Sequence, residues 1–396
     1  MQIHYLNDNG ESTTIELAES QTTIDLAELE IQSIDLSEIH PCPRLEVINL
    51  YDNHLTSIDL TPIQYCEGLQ ELYLGENQIL QLDLTPLTKC TNLQTLELHQ
   101  NRLDGLNLTP LKQCTQLNRL DLANNVLNKL DLRPLWQCIN LKELDLSENE
   151  IEEIDLTPLY YCTSLEELDI SGNDLAHLDL SPLWNCKHLR TLNLRANRLR
   201  QLNLRALYHC QAIQELDISQ NQLSHIDLTP LWHCPNLEAL WLTDNKLTQL
   251  DLTPLRHAEN LKSLNITQNS ITRLDISPIL KGQSDFKFFV DGDVQLNAKE
   301  RFKSYLWKKS SESLKKRIEH INWYGTPIAE IVEKSVSKDE YPVTEERIVT
   351  LEDVGKEFLT HCIKAGWLVQ KITSEGIEYK VTKEGETIFK KLGLNV

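Results

Sequence analysis

The residues of this chain best suited to chemistry recur at one fixed spacing. Cysteines stand at Cys42, Cys66, Cys90, Cys114, Cys138, Cys162, Cys186, Cys210 and Cys234, each 24 residues from the next. Thiolates hold zinc only where several sulfurs converge on one point at about 2.3 Å. A column with one thiol per 24 residues does not converge, and Ala258 and Gly282 fill its next two positions. Small apolar groups packed at a tight, repeated position explain the column better. Aspartates recur too, at Asp59, Asp83, Asp131, Asp155, Asp179, Asp227, Asp251 and Asp275. Calcium uses such carboxylates, but a short carboxylate also accepts the backbone N–H two residues on. Asn107 and Asn203, which fill the same place, favour that second role. His209, His233 and His257 form a third column, with no acidic or thiol ligand beside it to complete a metal site. A Gly-rich phosphate loop, a His-Glu-x-x-His motif and a clustered nucleophile and base are all missing from the sequence. The expectation is a protein without catalytic residues, metal or cofactor.

The frame that positions these columns is a repeat. Asn53, Asn77, Asn101, Asn125, Asn149, Asn173, Asn197, Asn221, Asn245 and Asn269 follow one another at 24 residues without a gap. One unit reads Leu141-Lys-Glu-Leu-Asp-Leu-Ser-Glu-Asn149-Glu-Ile, then Asp155-Leu-Thr-Pro158-Leu-Tyr-Tyr-Cys162. The alternating x-Leu-x-Leu segment predicts a short strand with one buried face. The Asn predicts a buried polar ladder, because its amide both donates and accepts. Thr157-Pro158 reads as an N-cap followed by Pro at the first helical position, opening a one- or two-turn helix with Leu159 and Cys162 facing inward. Ten regular units fill 45–284, and a worn eleventh, with Leu29 in place of Asn, occupies 21–44.

The pattern L-x-x-L-x-L-x-x-N-x-L resembles the leucine-rich-repeat family over about two thirds of the chain. The resemblance implies an α/β solenoid: a curved parallel β-sheet inside, short helices outside, and ligands met on the concave sheet. The expected domains are a β-hairpin cap at 1–20, the solenoid at 21–284, a cap or linker at 285–296 and a separate domain at 297–396. Phe286-Lys-Phe-Phe-Val290 is aromatic enough to cover the last repeat.

On the concave side the exposed strand positions run Tyr73, Glu97, Asp121, Asp145, Asp169, Asn193, Asp217 and Trp241, with Glu143, Glu167 and Glu215 two residues before three of them. Like charges on adjacent strands cost stability, so a structural role does not explain the carboxylates; they either keep an exposed sheet soluble or, as expected here, recognise a basic protein surface or tail. Tyr73 and Trp241 at the margins are anchor-like residue types. The seventh repeat breaks the pattern with Arg190, Arg195, Arg198, Arg200 and Arg205. That band is expected to pair with Glu166, Glu167 and Glu215, or to set register for a partner. On the convex side Trp136, Tyr160, Trp184, Tyr208 and Trp232 mark five successive repeats, stacked between helices or exposed as a second interface.

Charge separates two regions. The chain carries 59 acidic and 38 basic side chains, a net of −21; residues 1–284 hold 40 and 19 of these, and residues 285–396 hold 19 of each. Such an acidic body makes nucleic-acid binding an unfavourable expectation. The longest apolar run falls well short of the roughly 18 residues of a membrane span. The first ten residues lack the basic and apolar blocks of a secretory signal. Reduced thiols and a cytoplasmic location are expected. The segment from Asn297 to His320 reads as a basic helix. Leu351–Gly366, a hairpin of Val369–Thr373 with Ile377–Val381, and a final helix from Lys383 resemble the back half of a winged-helix domain. The acidic Glu352, Asp353 and Glu357 on its first helix argue against DNA reading. The expected function is an intracellular, non-catalytic interaction scaffold. The alternative is a nucleic-acid-associated regulator using the winged-helix-like domain.

Overall fold

The structure, a computed structural model, describes residues 2–18, 20–39, 44–280, 286–299, 321–324, 368–373 and 376–382. The chain divides into two compact units, Met1–Ile328 and Ala329–Val396.

The first unit is built on a twelve-stranded parallel sheet whose strands follow one another in chain order from Thr23–Asp25 to Lys287–Phe289. Each strand is three residues long because only the x-Leu-x segment alternates; its Leu faces the core and its flanking residues face out. Neighbours pair in line at 24 residues, so Leu144 lies opposite Leu120 and Leu168, and all three are fully buried.

After the strand the chain must turn sharply. It does so through a left-handed residue, Glu148 at φ 51° or Gly172 at φ 63°, which drives the following Asn into the interior. Asn149 donates from Nδ2 to the carbonyls of Leu122 at 3.0 Å, Leu146 at 3.2 Å and Ser147 at 3.0 Å. Its Oδ1 accepts the N–H of Leu127 at 3.0 Å, so the amide links two repeats and leaves nothing unsatisfied. The expected polar ladder is present.

The outer elements are tighter than expected. Thr157–Tyr161 and its equivalents are five-residue 3₁₀ turns, closed by Leu159 N–H to the Leu156 carbonyl at 2.9 Å and Cys162 N–H to Leu159 at 3.0 Å. The N-cap position belongs to Leu156, and no side chain caps it. This corrects the assignment of Thr157 as N-cap: Thr is the first turn residue, and its N–H is taken by Asp155 Oδ1 at 2.9 Å. Asn107 accepts from Thr109 in the same way at 3.0 Å. A 24-residue circuit leaves room for one such turn, and the 3₁₀ form suits short pieces. The cysteines line its inner side. Cys162 Sγ donates to the Leu135 carbonyl, 27 positions back, at 3.5 Å, and burial pushes the thiol up to about 12. The thiols are therefore protonated hydrogen-bond donors packed in the core.

The ends differ. Gln2–Asn7 and Ser12–Glu16 form an antiparallel hairpin that also pairs with Ile31–Asp35, the outer strand of the first repeat, rather than with the long sheet's edge at Thr23–Asp25. Ile3 and Ile31 are fully buried there. At the far end Lys287–Phe289 joins the long sheet, with Phe288 opposite Leu264, so the 24-residue spacing holds for one strand more. Phe286 and Phe288 stack at 6.3 Å over that end of the core. Gln295–Lys299 then pairs with Arg273–Asp275 and with Ile321–Tyr324. Asn297–Lys299 is therefore strand, which corrects the start of the helix expected from Asn297; residues 300–320 lie outside the described residues. The unit break at Ile328 also falls beyond the boundary expected at 297. In the second unit Leu368–Thr373 pairs antiparallel with Gly376–Val381, the expected hairpin. The helices expected around it lie outside the described residues.

Candidate functional site

The in-line register makes one row of the outward strand positions. Glu97 lies opposite Asp121, Asp121 opposite Asp145, Asp145 opposite Asp169, and Asn193 separates Asp169 from Asp217, beside Trp241. A parallel row carries Arg119, Glu143, Glu167, Thr191 and Glu215. The structure thus gathers the expected acidic residues on the concave face.

Two things about that face were not legible in advance. The first is the pairing of Arg119, which stands between Thr95 and Glu143 in its row. Its Nε donates to Glu97 Oε1 at 2.9 Å, its Nη2 to Asp121 Oδ2 at 3.1 Å, and its Nη1 to Glu143 Oε2. One guanidinium therefore bonds three carboxylates from three strands and leaves a net charge of about −2 among them. Asp145, Glu167 and Asp169 have no ion pair to a Lys or Arg among the described residues. Burial pushes Asp145 above the usual carboxylate range, and the charges of Asp169 and Asp121 add to this. Burial raises Glu167 as well, reinforced by Glu143 and Asp145.

The second is a structural duty of the Asp column. Oδ1 of Asp145, Asp169 and Asp217 accepts the N–H two residues on, from Ser147 at 2.9 Å, Ser171 at 2.8 Å and Ser219 at 2.8 Å. Asn193 and Asn265 hold the N–H of Arg195 and Thr267 identically, both at 3.1 Å. The expectation that structure does not explain these residues is corrected in part. The turn requires a short acceptor, which Asn supplies equally; the negative charge has no such duty.

The margins are less open than expected. Tyr73 is half-buried, and its hydroxyl donates to Glu71 Oε2 at 2.9 Å. Trp241 is half-buried in the row beside Asp217. Near Tyr73, Gly75 leaves room for His99: a Cβ on Gly75 would meet the His99 ring at 2.5 Å. His99 Nδ1 sits 3.6 Å from Asp121 Oδ2, and its ring is 5.9 Å from Tyr51.

The basic band pairs only partly as expected. Arg190 reaches Glu166 at 3.5 Å, but Arg198 takes Asp174 at 2.6 Å, and Arg195 donates from Nε to Gln220 Oε1 at 2.9 Å. Among the described residues, neither Glu167 nor Glu215 has an ion pair with an arginine.

On the convex side the aromatic column is both stacked and exposed. Trp184 lies on His209 at 3.7 Å, Tyr208 on His233 at 4.0 Å and Trp232 on His257 at 4.3 Å. Trp136 meets Tyr161 edge-on at 6.1 Å. The histidine column is thus the platform of each preceding aromatic ring. No group of three or more His, Cys, Asp or Glu is placed to hold a metal among the described residues. Trp136, Tyr160, Trp184 and Tyr208 remain 41–43% exposed, while Trp232 is half-buried.

The repeat also has known relatives. A family model for leucine rich repeats matches residues 43–103, 91–151, 115–175 and 187–247. Among solved structures, the leucine-rich-repeat protein LIC12759 of Leptospira interrogans is 26% identical, with a TM-score of 0.62 over 73% of this chain and 71% of that one. An internalin, InlF from Listeria monocytogenes, is 25% identical, with a TM-score of 0.55 over 74% and 87%. The functional domain of InlJ from Listeria monocytogenes, which includes a cysteine ladder, is 24% identical, with a TM-score of 0.50 over 70% and 67%. No curated protein sequence matches significantly. In-line three-residue strands, the Asn ladder and these matches together make the chain a member of the leucine-rich-repeat family.

Proposed function

We propose that this protein is an intracellular, non-catalytic scaffold that binds a basic protein partner on its concave face. Leucine-rich-repeat proteins in general mediate protein–protein interaction, and the finer reading comes from the charges of this chain. The observation that carries it is the group Asp145, Glu167 and Asp169, in register on adjacent strands and left without a cation once Arg119 is taken up by Glu97, Asp121 and Glu143. A partner's Lys or Arg would relieve that repulsion, and complementary charge also speeds encounter. Glu215 and Asp217 extend the field, and Arg195, whose Nε donates to Gln220 Oε1, sits beside it.

The test must separate charge from turn chemistry. Glu167→Lys and Glu215→Lys reverse charge at positions without a turn bond, while Asp145→Asn and Asp169→Asn remove charge and keep Oδ1 as acceptor. Partners captured from a lysate by the full chain are retested against this quadruple variant in a salt series. Slower association and a flatter salt dependence are expected. Unchanged affinity would move the binding surface off the concave acids. Arg195→Glu is the companion variant: it changes affinity only where the partner reaches the seventh repeat.

A further inference from the structure

We propose that the convex aromatic strip is the contact through which two copies of this chain pair about a two-fold axis. The strip is made of two groups of touching rings on successive repeats. Trp136 abuts Tyr161, Tyr161 abuts Tyr160 at 5.5 Å, and the Trp184 and Tyr208 rings share His209, at 3.7 Å and 5.1 Å. Tyr161 stands 50% exposed at the end of its turn, and Ile139 54% exposed just after the turn Arg133–Gln137. Contact with a ring of the next repeat holds Trp136, Trp184 and Tyr208, and Tyr161 holds Tyr160, so little side-chain freedom remains to be lost on association.

The extent of the strip selects the occupant. At these exposures, Trp136, Ile139, Tyr160, Tyr161, Trp184 and Tyr208 leave roughly 600 Å² of mainly apolar surface in water. One such patch is at the upper edge of what an isolated chain exposes. Facing its own copy, it buries about 1,200 Å², the lower end of a specific interface. Charge points the same way. The chain carries a formal charge of −21, so two copies repel over most approaches. The five residues of each of the turns Arg133–Gln137, Thr157–Tyr161, Ser181–Asn185 and Arg205–His209 include no carboxylate, and Asp131, Asp155 and Asp179 beside them are held on a turn N–H. A two-fold contact is self-complementary by construction, whereas the wider convex surface of one solenoid does not nest in the narrower concave face of another.

Sedimentation of the full chain across a concentration series tests the pairing. The expected result is a monomer–dimer equilibrium in the micromolar range, with no larger species. Ile139→Arg and Tyr160→Arg should each weaken it at least tenfold, and Leu80→Arg, an equally exposed apolar residue away from the strip, should leave it within twofold. Ile139 is 54% exposed, so its variant carries the test if Tyr160→Arg unfolds. A monomer up to about 100 µM overturns the proposal, well above a micromolar constant. Equal effects of Leu80→Arg and Ile139→Arg overturn it as well. Loss of the dimer on Glu167→Lys overturns the two-fold geometry, because the concave face would then be one side of the contact.

Discussion

Replacing Asp145 by Asn separates the two roles the structure gives this side chain. Its Oδ1 holds the Ser147 N–H at 2.9 Å, and its charge lies directly opposite Asp121 and Asp169. Asparagine keeps the bond, as Asn193 and Asn265 do in their own repeats. Each like-charged neighbour costs about 0.2–1 kcal/mol, and Arg119 already offsets Asp121, so Asp145→Asn should stabilise by about 0.5–1 kcal/mol at neutral pH. Alanine relieves the same repulsion but abandons the bond, worth about 1 kcal/mol, so Asp145→Ala should lie about that far below the Asn variant. The pH dependence follows from the raised carboxyl. Folded Asp145 takes up its proton at higher pH than the unfolded chain does, so stability increases as pH falls through the raised value. Above that value the penalty is fully present. Wild type should therefore gain more than Asp145→Asn on mild acidification. Urea melts of the three proteins at neutral and mildly acidic pH read both effects. An Asn variant less stable than wild type at neutral pH, or a difference that does not shrink on acidification, would refute the reasoning.

Three further outcomes are expected. Leu144→Ala should cost about 2–5 kcal/mol, being fully buried in the central stack, whereas the exposed Glu152→Ala should stay within about 0.5 kcal/mol in the same melts. Asn149→Leu should cost several kcal/mol, at about 1–3 for each buried backbone group it leaves unpaired, and hydrogen exchange should rise at Leu127, whose N–H loses its acceptor. Cys138 and Cys162 should react with thiol reagents only as the solenoid opens, since burial raises them to about 11 and 12; fast labelling of folded protein, or zinc bound in stoichiometric amount, would contradict the apolar ladder.

Much of the fold was legible because its causes are local and repeated. The x-Leu-x alternation and the Asp two residues before the turn act within one unit, the Asn joins each unit only to the one before it, and ten copies remove ambiguity. The 3₁₀ form of the outer turn was not legible, because Thr-Pro reads as a helix start unless the length of the circuit is weighed against it. The concave acids could be placed by counting. Their partners could not, because the reach of the Arg119 guanidinium over three strands depends on side-chain geometry. The same limit hid the stacking of Trp184, Tyr208 and Trp232 on the next histidine, although both columns were plain in the sequence. Gly75 offered a signal for the seat of His99, as a glycine in a column otherwise filled by side chains.

The unbroken 24-residue spacing also makes the solenoid a gauge. Leu146 N–H bonds the Asp169 carbonyl, and Ile170 N–H bonds that of Asn193, both at 2.9 Å, so adjoining units offer interchangeable edges. Excising 149–172 would join Glu148 to Asn173 and deliver an identical amide to the Leu122 and Leu146 carbonyls. The molecule can therefore be shortened or lengthened without redesigning a single junction, in steps of one sheet spacing, about 4.8 Å. Tyr73 and Trp241 stand seven such steps apart, about 34 Å along the sheet. A partner gripped at both would sense each added or deleted unit as a change of span, which sets the length of the ligand by arithmetic rather than by fit.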